Sequence, residues 1–143
     1  MTDQEIHEIC EKHEIENYKV NNDLVDVDGN VDLSKKNLSK LPLKFGTVNG
    51  YFYCDNNQLK SLKGAPNKVN GGFYCFNNQI ITLEGSPNKV NGDFNCFNNQ
   101  LTTLKHLPDC KEVYFHNNPC YNKLKDLSTK QIINHYKLKE ILG

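Results

Sequence analysis

Six cysteines, five histidines and a cluster of aspartates are the groups in this chain that could ligate a metal, attack an electrophile or carry a proton. Cys54, Cys75 and Cys96 recur at a step of 21 residues, and no Cys-x-x-Cys pair exists in the sequence. Metal-binding and redox cysteines usually come in close pairs. Thiols at a structural period read instead as small buried hydrophobes, the usual role of a free cysteine, in a compartment that keeps them reduced. Asp23, Asp26, Asp28 and Asp32 have the composition of a calcium loop, yet glycine falls one residue after the second aspartate of Asp26-x-Asp28, so the EF-hand spacing fails. A hairpin turn accommodates them. His7, His13, His106, His116 and His135 enter no nucleophile-base, zinc-helix or phosphate-loop pattern. Asn37-Leu38-Ser39 is formally a glycosylation sequon, but without a secretory signal no chemistry attaches to it. The expectation is a chain with no catalytic residue, no metal and no cofactor, because a repeat array without inserted loops offers little deep pocket.

The step of 21 governs far more than the cysteines. FYCDNNQLKSLKGAPNKVNG from Phe52, FYCFNNQIITLEGSPNKVNG from Phe73 and FNCFNNQLTTLKHLPDC from Phe94 nearly copy one another, with weaker copies from Val31 and Val113. Such a short repeat is one structural unit that cannot bury its apolar face alone, so the units must stack. Within each unit a short strand alternates in and out. Stacking at about 4.8 Å then builds an inner column of Phe52, Phe73 and Phe94 beside Cys54, Cys75 and Cys96, continued by Val31 with Leu33 and by Val113 with Phe115. Asn57, Asn78, Asn99 and Asn118 are expected to form an amide ladder where the strand bends away, because buried polar groups need partners. Lys36 interrupts it in the first unit. GAPNKVNG and GSPNKVNG cannot sustain a helix, so the opposite side of each unit should be extended or polyproline-like, with Val48, Val69 and Val90 pointing in. The last full unit is two residues shorter, and Cys110 takes the valine position there.

Phe52, Cys54, Leu59, Leu62 and Val69 fall at the inward places of the pattern L-x-L-x-x-N-x-L, with Asn57 in its asparagine slot. On these residues, and on the repeated NNQLxxL, the chain resembles leucine-rich repeat proteins of the short-repeat class, about 20 to 22 residues, seen in leucine-rich effectors of bacterial pathogens and in small proteins of tailed phages. The resemblance implies an α+β repeat solenoid with a parallel β-sheet on a concave face, an extended convex side and helical caps. The boundaries read as a cap at 1–30, an array at 31–119 and a C-terminal helical cap at 120–143, all in one domain.

The ends carry their own signals. Thr2 and Glu5 have capping-box spacing ahead of a helix expected from Asp3 to Ile15, with Ile6, Ile9, Cys10 and His13 along one side. Asn21-Asn22-Asp23 and Asp28-Gly29-Asn30 are turn formers separating short β-like runs, a hairpin leading into the first repeat strand. Ser128 and Gln131 repeat the capping-box spacing, and Ile132, Ile133, Tyr136, Ile141 and Leu142 give the last helix an apolar side. Residues 1–32 hold Lys12 and Lys19 against ten acids, whereas the remainder holds fifteen lysines against seven. This acidic head on a basic body either solvates the ends of a rod or steers a partner or a second copy, which leaves a homo-oligomer through the charged ends open. Every basic side chain other than histidine is lysine, a bias typical of AT-rich coding sequence such as many phage genomes carry. No apolar run approaches the roughly 18 residues of a membrane span, and MTDQEIHEIC has no signal-peptide character. A cytoplasmic protein without a membrane partner is expected, in the host cytoplasm if it is viral.

Outward strand positions are where the units differ while the frame stays constant. In order they are Asp32 and Ser34, Tyr53 and Asp55, Tyr74 and Phe76, Asn95 and Phe97, then Tyr114 and His116. Aromatics have no structural need to crowd a water-facing strand, and contiguous exposed apolar patches mark interaction sites. The expected partner-binding residues are Tyr53, Asp55, Tyr74, Phe76, Asn95, Phe97, Tyr114 and His116, and the expected partner is another protein. Rings that merely stack to stiffen the sheet are the plain alternative. Asn56, Asn77, Asn98 and Asn117 flank the patch, as a polar rim or as part of the turn. A nucleic-acid or nucleotide binder using the aromatics and lysines is the second reading, weakened because Lys60, Lys63, Lys68, Lys89, Lys105 and Lys111 lie away from the aromatics. A self-assembling structural protein is the third.

Overall fold

In the computed structural model, which describes residues 1–142, the 21-residue step becomes the coil of a β-solenoid. The chain runs α1 (Asp3–Lys12), β1 (Tyr18–Asn21), β2 (Leu24–Val27), β3 (Val31–Asp32), β4 (Phe45–Val48), β5 (Phe52–Tyr53), β6 (Lys68–Val69), β7 (Phe73–Tyr74), β8 (Lys89–Val90), β9 (Phe94–Asn95), β10 (Val113–Tyr114), α2 (Tyr121–Leu124) and α3 (Thr129–Leu142). One five-stranded sheet is the parallel ladder β10-β9-β7-β5-β3, in register Val31↔Phe52↔Phe73↔Phe94↔Val113. The register holds through the first unit even though Lys36 replaces the ladder asparagine there.

The opposite side of each coil differs from expectation. It is extended, with Val48, Val69 and Val90 buried, but it is paired rather than free, forming a second sheet β1-β2-β4-β6-β8. Thr47↔Lys68↔Lys89 and Val48↔Val69↔Val90 are its register. Proline and glycine flank the two-residue strands β6 and β8 without interrupting them, so the ladder forms between these coils where two consecutive residues are extended. Cys110 follows this sheet, since Asp109 bridges Lys89 and its carbonyl accepts from Val90 N–H at 2.8 Å. The β1–β2 hairpin is antiparallel and extends the second sheet through β2 and β4, rather than the first. Its turn residues Asn22 and Asp23 sit at φ 51° and 66°, as the type I′ turn requires.

The core lies between the sheets. Phe52, Phe73 and Phe94 are fully buried and stack at 5.2 Å with interplanar angles of 5° and 4°, beside Cys54, Cys75 and Cys96. Some coils approach so closely that only glycine fits, because a Cβ on Gly92 would stand 2.9 Å from the backbone of Gly71. At the N-terminal end Thr2 Oγ1 accepts from Glu5 N–H at 3.1 Å, and α1 buries Ile6 and Cys10. The helix stops at Lys12, three residues before the expected Ile15. Glu14 turns left-handed at φ 57° and Ile15 N–H reaches back to Cys10 O at 2.8 Å, a Schellman-type ending that sends Ile15 into the core. At the other end the Ser128–Gln131 capping box forms, and Ile132 is buried with Ile133 and Tyr136 packed beside it. Ile141 and Leu142, expected on that apolar side, are 80% and 77% exposed. The four-residue α2 was not legible in the sequence. Among the described residues no helix is long and apolar enough to cross a membrane.

Candidate functional site

The outer face of the first sheet is positioned by amides. Asn78 Nδ2 donates to Cys54 O at 3.0 Å and Cys75 O at 3.1 Å, while its Oδ1 accepts from Leu59 N–H at 3.0 Å. Asn99 and Asn118 repeat this clamp one and two coils on. Asn57 begins the ladder, and its Oδ1 accepts from Lys36 N–H and Leu38 N–H, so the lysine that lacks an amide is held by the next one. Each rung therefore ties two coils together at the point where the strand turns away.

Two further amide chains run along the solenoid. Asn56, Asn77, Asn98 and Asn117 all adopt φ of 53–55°, which asparagine tolerates better than most residues. Their side chains link as Asn77 to Asn56 at 2.9 Å, Asn98 to Asn77 at 2.6 Å and Asn117 to Asn98 at 2.6 Å. They thus complete the turn and also border the face. The third chain, Asn91 to Asn70 to Asn49, lies on the NG turns, where VNG recurs at the 21-residue step. Both chains end on a carboxylate at their acceptor end, Asn56 Nδ2 donating to Asp55 at 2.8 Å and Asn49 Nδ2 to Asp28 at 3.2 Å. A charged acceptor strengthens the terminal hydrogen bond of such a chain.

The sequence-predicted patch resolves into two ring stacks. Tyr53 and Tyr74 stack at 4.8 Å and 14°. Phe76 and Phe97 stack at 4.5 Å and 7°, and Phe97 and His116 at 4.5 Å and 10°. Asn95 stands between Tyr74 and Tyr114 in the strand register, so the tyrosine column is interrupted, and Tyr114 is 45% exposed. Asp55 is only 6% exposed, contrary to an outward carboxylate free for a partner, and is occupied by Asn56. Tyr51 joins the first stack, 6.2 Å from both Tyr53 and Tyr74. Periodic reading missed it because Gly72 and Asp93 take its place in later coils.

Within each stack every ring lies against the next, so the surface presents ring edges, with open faces only at the ends. Burial first, then charge on Tyr51, Asp32 and Asp55, pushes the Tyr53 phenol up; burial, then Tyr53, Tyr51 and Asp93, does the same to Tyr74. Both hydroxyls are neutral hydrogen-bonding groups at ordinary pH. Lys68 and Lys89 belong to β6 and β8 in the other sheet.

Of the remaining chemistry-bearing groups, Asp26 and Asp32 bond to backbone N–H. Asp26 Oδ1 accepts from Thr47 N–H at 2.7 Å, and Asp32 Oδ1 from Ser34 N–H at 3.0 Å and Ser34 Oγ at 2.6 Å. Among the described residues no three His, Cys, Asp or Glu side chains are grouped so as to hold a metal ion. All six cysteines are free thiols. Burial pushes Cys54, Cys75 and Cys96 far up from the usual thiol value, and Cys110 is pushed up to about 12 by burial with the charges of Asp93, Glu112 and Asp109. Native alkylation at about pH 8 should therefore leave all three column thiols unmodified and react with Cys110 only slowly, since thiolate is the nucleophile. Peptide mass spectrometry reads this directly, and rapid native modification of Cys75 would contradict the buried column. No family model matches the chain, and neither a curated protein nor a solved structure is significantly similar to it.

Proposed function

We propose that this chain is a non-enzymatic protein-binding module of the short leucine-rich repeat kind, gripping another protein with the outer face of the β3–β10 sheet. The observation that carries the reading is the strip of pre-stacked ring edges, Tyr53 with Tyr74 and Phe76 with Phe97 and His116, beside exposed Tyr51 and Tyr114. Aromatic anchors held rigid before binding lose little entropy on association. The terminal helices, on this reading, act as caps over the core at the ends of the array. The lysine-only, asparagine-rich composition suits a tailed-phage source, in which case the partner is a host protein or defence component to be inhibited in the host cytoplasm.

Nucleic-acid binding fits less well. Base stacking needs open ring faces, and here the faces lie against one another, with Lys68 and Lys89 on the other sheet. The test is affinity capture from bacterial lysate with wild type beside a Phe76→Ala, Phe97→Ala double variant, both first shown folded by circular dichroism. A specific protein retained by wild type and weakened about 10-fold or more in the variant is expected, the loss typical of truncated interface anchors. Equal capture by both would make the stacks purely structural and turn attention to self-association through the charged ends.

A further inference from the structure

The backbone hydrogen-bond pattern of the first sheet ends abruptly at β10. In each inner coil three N–H groups of this sheet point to the following coil, the first of them, from Phe52, Phe73 and Phe94, donating to Gly72, Asp93 and Glu112 O at 3.0, 2.9 and 2.8 Å. Cys54, Cys75 and Cys96 donate to Tyr74, Asn95 and Tyr114 O at 2.8, 2.9 and 2.9 Å, and Asn56, Asn77 and Asn98 donate to Phe76, Phe97 and His116 O at 3.0, 3.1 and 3.0 Å. Phe115 and Asn117 are the next members of these last two series. Their N–H groups have no acceptor among the described residues, whereas Val113 N–H, one step earlier, is taken by Thr129 Oγ1 at 3.1 Å.

At two other edges some of the groups are taken up within the chain. At the N-terminal edge the Asp32 carboxylate folds back onto Ser34 N–H and Oγ. Beyond β8, Asp109 O accepts from Val90 N–H and Lys111 N–H donates to Gly92 O. At β10, by contrast, a groove of about 210 Å³ lies along the strand, walled by Tyr121, Lys125, Leu127, Thr129 and Ile132. Leu127 and Tyr114 at its margin are 40% and 45% exposed. An open edge with unpaired donors is a template for another strand.

We propose that this edge accepts an extended segment of another polypeptide, added parallel to β10 as a sixth strand. Unpaired amide donors specify a carbonyl-bearing backbone, the chemistry of strand addition. Parallel pairing continues the pattern of the inner coils, in which Cys54 N–H goes to the following strand while Cys54 O accepts from asparagine side chains, as Phe115 O accepts from Asn118 Nδ2 at 2.9 Å, whereas an antiparallel hydrogen-bonded pair would turn both backbone groups of one residue to the partner strand. The incoming residue opposite Tyr114 would point outward and extend the ring strip. Its two neighbours would point toward Thr129, Ile132 and Tyr121 and must be small. This docking uses the sheet edge and does not depend on the aromatic face reading.

The probe is the peptide acetyl-Gly-Ala-Tyr-Ala-Phe-Asn-Asn-amide, which continues the repeat pattern with small inward residues. It is titrated into ¹⁵N-labelled protein while amide shifts and hydrogen exchange are followed. In the free protein the Phe115 and Asn117 amides should exchange at least about 10-fold faster than those of Cys96 and Asn98, whose hydrogen bonds are made. The peptide should shift both resonances and slow their exchange. N-methylation of its tyrosine, opposite Tyr114, should remove the effect, as should Leu127→Lys in the groove wall, while Phe76→Ala with Phe97→Ala should leave it intact. The proposal is overturned if the two amides are already as protected as Cys96, if they ignore millimolar peptide, or if the N-methylated peptide acts equally well. Protection that grows with protein concentration alone would assign the edge to a second copy instead.

Discussion

Asn78→Ala is expected to lower the unfolding free energy by about 2–5 kcal/mol, because it leaves the buried Leu59 N–H without an acceptor, at about 1–3 kcal/mol, and takes one of two asparagine donors from each of Cys54 O and Cys75 O, at about 0.5–1.5 kcal/mol per hydrogen bond. Leu59 N–H, Cys54 O and Cys75 O all bond to this one amide, which is 9% exposed. Urea denaturation followed by circular dichroism measures the loss as a shift in midpoint. Asn78→Asp separates the two halves of the amide. A carboxylate can still accept from Leu59 N–H, but it turns two donor bonds into oxygen facing oxygen, so at neutral pH it should cost at least as much as alanine. Asn77→Gly is the control, since glycine accepts the left-handed φ of 55° and only the exterior amide chain is broken. A loss below about 1 kcal/mol for Asn78→Ala, no larger than an average hydrogen bond, would mean that water replaces the amide and that the ladder does not hold the coils together.

The same ladder shows what a sequence of this kind discloses. Asn57, Asn78, Asn99 and Asn118 were legible because a polar residue repeated at an inward register has few roles other than pairing with backbone. The inner columns of phenylalanine and cysteine were legible for the complementary reason, since alternation fixes which residues face in. The second sheet was not. Turn-forming residues surround Lys68-Val69 and Lys89-Val90, and rules of propensity discount strands in such company. Here pairing comes from the neighbouring coil rather than from local preference, so two residues suffice. Tyr51 escaped because periodic reading finds what recurs. Ile141 and Leu142 satisfied helical periodicity, but both side chains stand largely exposed at the end of α3, and periodicity alone cannot say how far a neighbouring surface extends. Asp55 was assigned outward by alternation and does occupy that register. Its burial comes from the turn that follows, through Asn56, which a two-residue period does not describe.

Phe73→Ala should be the most damaging single core change, at about 3–5 kcal/mol for loss of a buried phenylalanine ring. Its ring is fully buried and lies between Phe52 and Phe94, each 5.2 Å away. In a solenoid the stability is close to a sum of unit terms and neighbour terms, so a residue in the middle of the column weakens two contacts between coils, whereas one at the end weakens one. Val113→Ala, at the last coil and 9% exposed, should therefore cost only about 1–2 kcal/mol, the lower part of the range for apolar truncations. Phe73→Leu keeps most of the volume and should lose less than Phe73→Ala. Against a total stability of about 5–15 kcal/mol for a typical domain, the alanine variant would sit near the threshold of folding. Thermal and urea unfolding of the three variants give the ranking. Were Val113→Ala as costly as Phe73→Ala, the coils would not be coupled as nearest neighbours, and the stacked phenylalanines would be neighbours in space without being the source of the array's cohesion.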